Sequence, residues 1–215
     1  IEYVAFNPGA SFRWLHDSLA NYGGNKMPEI ITCTHEETAV ALAHGYAKAK
    51  GKPMAVVCHN VVGLQHATMA IFNAWCDRVP IVVLGGTGYM DHIRRRPIEW
   101  HHSALVQGNI VRDIVKWDDQ PFSIGSVPES FIRGYRIATT EPQGPVYICY
   151  DADIQAPKLE EPMVIPDVMR YPSLSPQAAD PDSIRRLAQW LVEAESPVVV
   201  ADYVGRTAQG YQSLI

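Results

Sequence analysis

Glu36 and Glu37 stand side by side where a helix begins, and helical periodicity sends them to opposite faces. Stepping by three and four residues, Glu36 lines up with Val40, Ala43 and Ala47, a small apolar stripe suited to face a core. Glu37 lines up with Ala41, His44 and Lys48, the wetter side. Thr34 followed three residues on by Glu37 reads as a capping box, which gives Glu37 a structural task. Glu36 has no such task. A carboxylate directed into apolar surroundings needs a partner, because an unpaired buried charge is expensive. The plainer reading is a first-turn acid stabilised by the helix dipole, worth about 0.3–1 kcal/mol.

Three further groups have the types that chemistry uses. His101-His102 places two imidazoles in the polar stretch 98–103, able to shuttle protons or hydrogen-bond a carboxylate, or simply to pack on Trp100. His59-Asn60-Val61-Val62-Gly63 follows a strand-like run, so His59 or Asn60 either faces a ligand or serves only the turn. Arg94-Arg95-Arg96 is the one dense basic run; such a run is usually a solvated loop, with binding of an acidic substrate as the sharper reading. Gly85-Gly86-Thr87-Gly88 lacks the G-x-G-x-x-G spacing that opens a dinucleotide-binding helix.

The elements that must position these residues alternate. Strand-like runs cover 3–6, 30–33, 54–58, 81–84, 111–117 and 146–150; helical patterns cover 11–21, 36–50, 64–75 and 127–139. Short apolar strands with few polar interruptions predict a sheet buried on both faces, hence an α/β fold with an open, mostly parallel sheet and helices on both faces. In such sheets ligands bind outside the carboxyl ends of the strands. Pro8-Gly9, 34–36, 59–63 and 85–88 all fall at those ends.

From 156 to 181 the texture changes to a Pro-rich linker, with Pro157, Pro162, Pro166, Pro172, Pro176 and Pro181 and no sustained period. Beyond it, 183–195 reads as an amphipathic helix and 197–201 as a buried strand, the opening of a second α/β domain cut short at residue 215. The expected division is therefore 1–155, 156–181 and 182–215. A net charge of −5 gives no basic field for nucleic acid, and no apolar run approaches the ~20 residues that span a membrane. Cys33, Cys58, Cys76 and Cys149 show no C-x-x-C spacing, which favours free thiols in a reduced, cytoplasmic chain and no cysteine-bound metal.

The ordered set of motifs resembles the N-terminal, pyrimidine-binding domain of thiamine-diphosphate-dependent enzymes of the acetolactate synthase and pyruvate decarboxylase type. It consists of His35-Glu36, Gly45-Tyr46-Ala47, Gly51-Lys52-Pro53, Ala74, Arg78-Val79-Pro80, Gly85-Gly86 and Gly144-Pro145-Val146-Tyr147, across roughly three-quarters of the chain. The resemblance implies that Glu36 hydrogen-bonds N1′ of the thiamine aminopyrimidine and favours the imino form that deprotonates thiazolium C2. It implies that His102 and His101 match the twin histidines of the decarboxylases, where synthases more often carry a glutamine. Pro8, Gly9, Asn60 and Gly63 then approach the cofactor, although the Gly-Pro-Gly of many relatives is reduced here to Gly63 alone.

Further implications follow from the resemblance: a 2-oxo acid substrate, a decarboxylase or carboligase (a lyase or transferase) in the complete protein, and a homodimer or dimer of dimers. Magnesium would be held with the diphosphate by another domain, leaving 1–215 alone inactive; no Gly-Asp-Gly run is present. The competing readings are a non-catalytic assembly or cofactor-binding module of the same fold, and a nucleotide-binding α/β domain.

Overall fold

The computed structural model describes residues 1–95, 102, 104–175 and 177–215. Two compact units divide the chain, residues 1–175 and residues 176–215.

In the first unit, strands and helices alternate as β1 (Tyr3–Phe6), α1 (Arg13–Asp17), β2 (Glu29–Thr32), α2 (Glu36–Lys50), β3 (Met54–Cys58), α3 (Val62–Cys76), β4 (Ile81–Thr87), β5 (Asp118–Asp119), α4 (Val127–Thr139), β6 (Val146–Asp151) and α5 (Ala152–Gln155). All strand pairings are parallel, in the order β2-β1-β3-β4-β6-β5. The central strands β3 and β4 are buried along their whole length, as unbroken apolar runs require when helices cover both faces. Along β1 the side chains alternate: Ala5 joins one core cluster with Val40, Ala43, Leu64 and Ile71 of α2 and α3. Val4 and Phe6 join the other, with Phe12, Val57, Ile148 and the half-buried Phe131 of α4.

Helix α2 follows the expected bounds and closes with Gly51 in the left-handed conformation, φ 67°. Its small residues Ala39, Ala43 and Ala47 are buried and let it lie close to α3. His44 and Lys48 reach from α2 to Asp77, at the end of α3, at 2.9 and 2.8 Å. Chain order reverses between β1 and β3, since β1 leads outward to β2 while β3 leads the other way to β4. The carboxyl end of that switch point is where a parallel sheet opens a crevice between diverging loops.

In the first unit three expectations are corrected. Residues 11–21 form three helical pieces rather than one helix: a 3-10 turn Ala10–Phe12, then α1, then a π turn Ser18–Tyr22. The segment 111–117 is no strand. Val111 and Val115 are buried, but Val111 and Ile114 donate backwards to Gly108 and Val111 in 3-10 turns. Its apolar spacing serves turns, and ladder pairing starts only near Lys116, whose N–H donates to Pro145 O. The cap of α2 is His35 rather than Thr34: His35 Nδ1 accepts from Glu37 N at 3.2 Å, which places Glu37 at the second helical position.

The second unit contains α6 (Pro181–Glu193) and α7 (Ala208–Leu214). Helix α6 starts two residues before the expected 183 because Pro181 suits the first turn and Asp180 caps Ser183 N at 2.8 Å. Residues 197–201 are not a strand; Val198 and Val200 are exposed, and no sheet edge is present among the unit's described residues to pair with them. Among the described residues no helix is long and apolar enough to cross a membrane.

Candidate active site

Glu36 begins α2 just past the carboxyl end of β2, and its side chain points inward. It is 5% exposed, whereas its neighbour Glu37 is exposed. The helical period explains the difference, since Glu36 continues the Val40–Ala43–Ala47 stripe. Among the described residues the Glu36 carboxylate has no hydrogen-bond partner. Space for it comes from α3: a Cβ on Gly63 would meet Oε1 of Glu36 at 2.6 Å and its Cδ and Cγ at 3.0 Å. Underneath, burial pushes the Cys58 thiol well up, and the charge of Glu36 adds to that rise.

The loop after β3 forms the adjoining wall. His59 Nδ1 lies 3.0 Å from Ser11 Oγ, and Asn60 N donates to the same oxygen at 3.1 Å. Gly9 allows this closeness, because a Cβ there would stand 2.9 Å from Nδ1 of His59. Asn60 is 5% exposed, yet among the described residues its Oδ1 has no partner. Val61 has φ 26°, a strained conformation for a β-branched residue. Gln107 holds it there: Oε1 accepts from Val61 N at 2.8 Å, while Nε2 donates to Gly86 O at 3.1 Å.

Electrostatics set His59 apart. Burial and the facing His102 lower its pKa below the ordinary 6.5, with Glu36 pulling the other way. The rings of His59 and His102 are 5.9 Å apart between centroids. A neutral imidazole next to a buried carboxylate and an unpaired amide oxygen makes a cleft suited to holding N–H donors and moving protons.

The expected site residues therefore fall as follows. Glu36, Gly63 and Asn60 are gathered at the carboxyl ends of β2 and β3; Gly9 touches the same group from β1, and the exposed Pro8 precedes it. His102 stands beside His59, with φ 62°. His101 lies outside the described residues. Arg94 is engaged within the chain, pairing with Asp153 and lying 4.2 Å over the Tyr89 ring, and Arg95 donates to Met90 O at 2.6 Å. These ties leave the acidic-substrate reading of that run without support; Arg96 lies outside the described residues. Gln107 and the bond from Ser11 to His59 were not legible in the sequence, since only the β1–β3 adjacency and the return of 107 to the loop reveal them.

Ligand atoms of His35, Glu36 and His66 lie within 4.8 Å of one another. The two imidazoles, however, are stacked with planes 6° apart and centroids at 4.8 Å. An ion bound by imidazole sits near the ring plane, so these stacked rings do not converge on one ion without turning.

Residues 1–106 match the family model for thiamine pyrophosphate enzyme, N-terminal TPP binding domain. The chain is similar to the acetolactate synthase large subunit of Haemophilus influenzae, 26% identical over 216 aligned positions that cover 100% of this chain and 36% of that protein. It is 27% identical over 144 positions to benzoylformate decarboxylase of Pseudomonas aeruginosa, covering 63% of this chain and 27% of the relative. The solved benzoylformate decarboxylase from Polynucleobacter necessarius shares the fold, with a TM-score of 0.79 at 23% identity over 95% of this chain and 36% of that one. The chain thus spans about a third of the length of the curated relatives it matches.

Proposed function

Because residues 1–106 match the family model for the N-terminal TPP binding domain of the thiamine pyrophosphate enzymes, we propose that this chain supplies the aminopyrimidine side of a thiamine diphosphate site. The parent protein is then a 2-oxo acid decarboxylase or carboligase of the acetolactate synthase type. The observation that carries this reading is the Glu36 carboxylate, buried at 5% exposure with no partner among the described residues and seated in the space left by Gly63. A carboxylate this enclosed, with no partner among the described residues, is suited to accept from a ligand.

The residues fit the cofactor. Glu36 offers an acceptor for an N–H on the aminopyrimidine ring, and Asn60 Oδ1 offers a second buried acceptor with no partner of its own. When bound, thiamine diphosphate supplies an acidic thiazolium carbon and an electron sink for decarboxylation. Glu36 holds the proton that sets the aminopyrimidine tautomer. Gly9 and Gly63 keep the walls free of Cβ atoms, with Pro8 at the lip. His102, with His101, holds or moves a proton near the substrate carboxylate, beside the neutral-leaning His59.

In this reading residues 1–155 form the pyrimidine-binding domain, 156–181 the connection and 182–215 the opening of a central domain. Magnesium and the diphosphate are held by a different domain, facing this one across a homodimer or dimer of dimers. The test is Glu36→Gln in the parent protein beside Glu37→Gln. The first should suppress cofactor-dependent turnover. The second should alter only helix stability, by about 1 kcal/mol or less. Near-normal turnover in Glu36→Gln overturns the assignment.

A further inference from the structure

We propose that Ser11 is a positioning residue whose hydroxyl donates to Nδ1 of His59 and so fixes His59 as an Nε2–H donor. The inference rests on reading the crevice as the cofactor site only for its purpose; the hydrogen-bond assignment stands on this chain alone.

A serine hydroxyl has one hydrogen and two lone pairs. Ser11 is buried, and one lone pair is taken by Asn60 N at 3.1 Å. His59 Nδ1 at 3.0 Å can then be joined in two ways. If Nδ1–H donates to the second lone pair, the hydroxyl hydrogen is left without an acceptor among the described residues. If the hydroxyl donates to Nδ1, the buried hydroxyl hydrogen is used, and the ring hydrogen passes to Nε2 of the only partly buried His59, which is not among the fully enclosed unpaired atoms. Buried polar groups are paired wherever geometry permits, which selects the second arrangement.

The neighbourhood supports it. Nδ1 accepts only in the neutral ring, and burial together with His102 favours that form, against the opposing pull of Glu36. Gly9 brings the β1 turn against the Nδ1 edge, where a Cβ would approach to 2.9 Å, so the ring is held at the hydroxyl. The other ring nitrogen must carry the hydrogen, because a neutral imidazole has one donor and one acceptor. Its partner in function is an oxyanion or carbonyl oxygen, the chemistry of a 2-oxo acid. The serine acts through histidine and has no contact with substrate assigned to it.

The test uses the 215-residue chain with 15N-labelled histidine and no cofactor, read by long-range proton–nitrogen spectra near pH 7.5. His59 signals are identified by their loss in His59→Gln. The wild type should show an unprotonated Nδ1 and a protonated Nε2. Ser11→Ala should move the tautomer ratio toward Nδ1–H by about fivefold, the equivalent of one ordinary hydrogen bond. Ser11→Thr, which keeps the hydroxyl, should restore the wild-type pattern. A protonated Nδ1 in the wild type, or an unchanged spectrum in a folded Ser11→Ala, overturns the proposal. Should Ser11→Ala fail to fold, the wild-type spectrum and Ser11→Thr still decide it. Because no cofactor is present, the outcome is independent of Glu36→Gln turnover, so failure here and failure of the thiamine reading are separable.

Discussion

The Glu36 carboxylate fills the space where residue 63 would place a side chain: a Cβ there would stand 2.6 Å from Oε1. Gly63→Ala should therefore displace the carboxylate end as a whole, since Cδ and Cγ are also within 3.0 Å. On the role proposed for Glu36, turnover of the parent should fall by about tenfold or more, because small misplacements of a group that acts on the cofactor are costly. Global stability should change by about 1–3 kcal/mol at most, the usual cost of overpacking. Paired measurements of turnover and denaturation midpoint separate the two effects; full turnover in a stable Gly63→Ala protein would show that Glu36 has room to move.

Gln107 is fully buried and joins the strained Val61 to the end of β4. Gln107→Leu keeps bulk but leaves Val61 N–H and Gly86 C=O unpaired. The expected loss is about 1–3 kcal/mol for each group stranded, read as a lower denaturation midpoint at unchanged slope. Unchanged stability would mean that the loop finds other partners and that Gln107 does not hold the φ 26° conformation.

How far the sequence reached depended on whether the deciding contact was local. Glu36 was readable because a helix period fixes which way a side chain points within one turn, and the bounds of α2 were readable from its own residues. The His35 cap was missed because Thr34 and His35 compete for the same amide, and only backbone geometry decides. The Ser11–His59 pair joins residues 48 apart, visible only once β1 lies beside β3. Segments 111–117 and 197–201 failed for a related reason. An apolar run becomes a strand only where a sheet edge receives it, and β5 is limited to Asp118–Asp119.

His59 gives a pH dependence of definite sign. Its folded pKa lies below the ordinary 6.5 because burial and His102 disfavour the charged ring. Unfolded chains then bind more protons than folded ones as pH drops through 6.5, so this contribution is fully present above that value and is lost as pH falls toward the folded pKa. Asp77, whose carboxylate is held below 3.8 by Lys48 and His44, acts only in more acid solution. Urea denaturation of the 215-residue chain from pH 7.5 to 5 should show a decline that is reduced in His59→Gln. Parallel curves for the two proteins would locate the proton uptake elsewhere.

Helix α3 shows solvent a row of apolar side chains, Met69, Phe72 and Trp75, at 59%, 41% and 37% exposure. Their spacing of three keeps them on adjoining positions of one helical face, whereas α2 exposes a single large apolar side chain, Leu42, among Ala41 and Lys48. Single exposed apolar residues are ordinary, but a contiguous row marks a surface meant to be covered. The homodimer proposed for the parent would supply the cover if a second copy lay against this face. Phe72→Lys should therefore weaken association while leaving the fold intact, because the side chain is already 41% exposed in the isolated chain. Light scattering of the parent across a wide concentration range should show the variant shifting toward monomer at concentrations where the wild type stays associated. An unchanged mass for Phe72→Lys together with Met69→Lys would remove this face from the interface and leave the row to another partner.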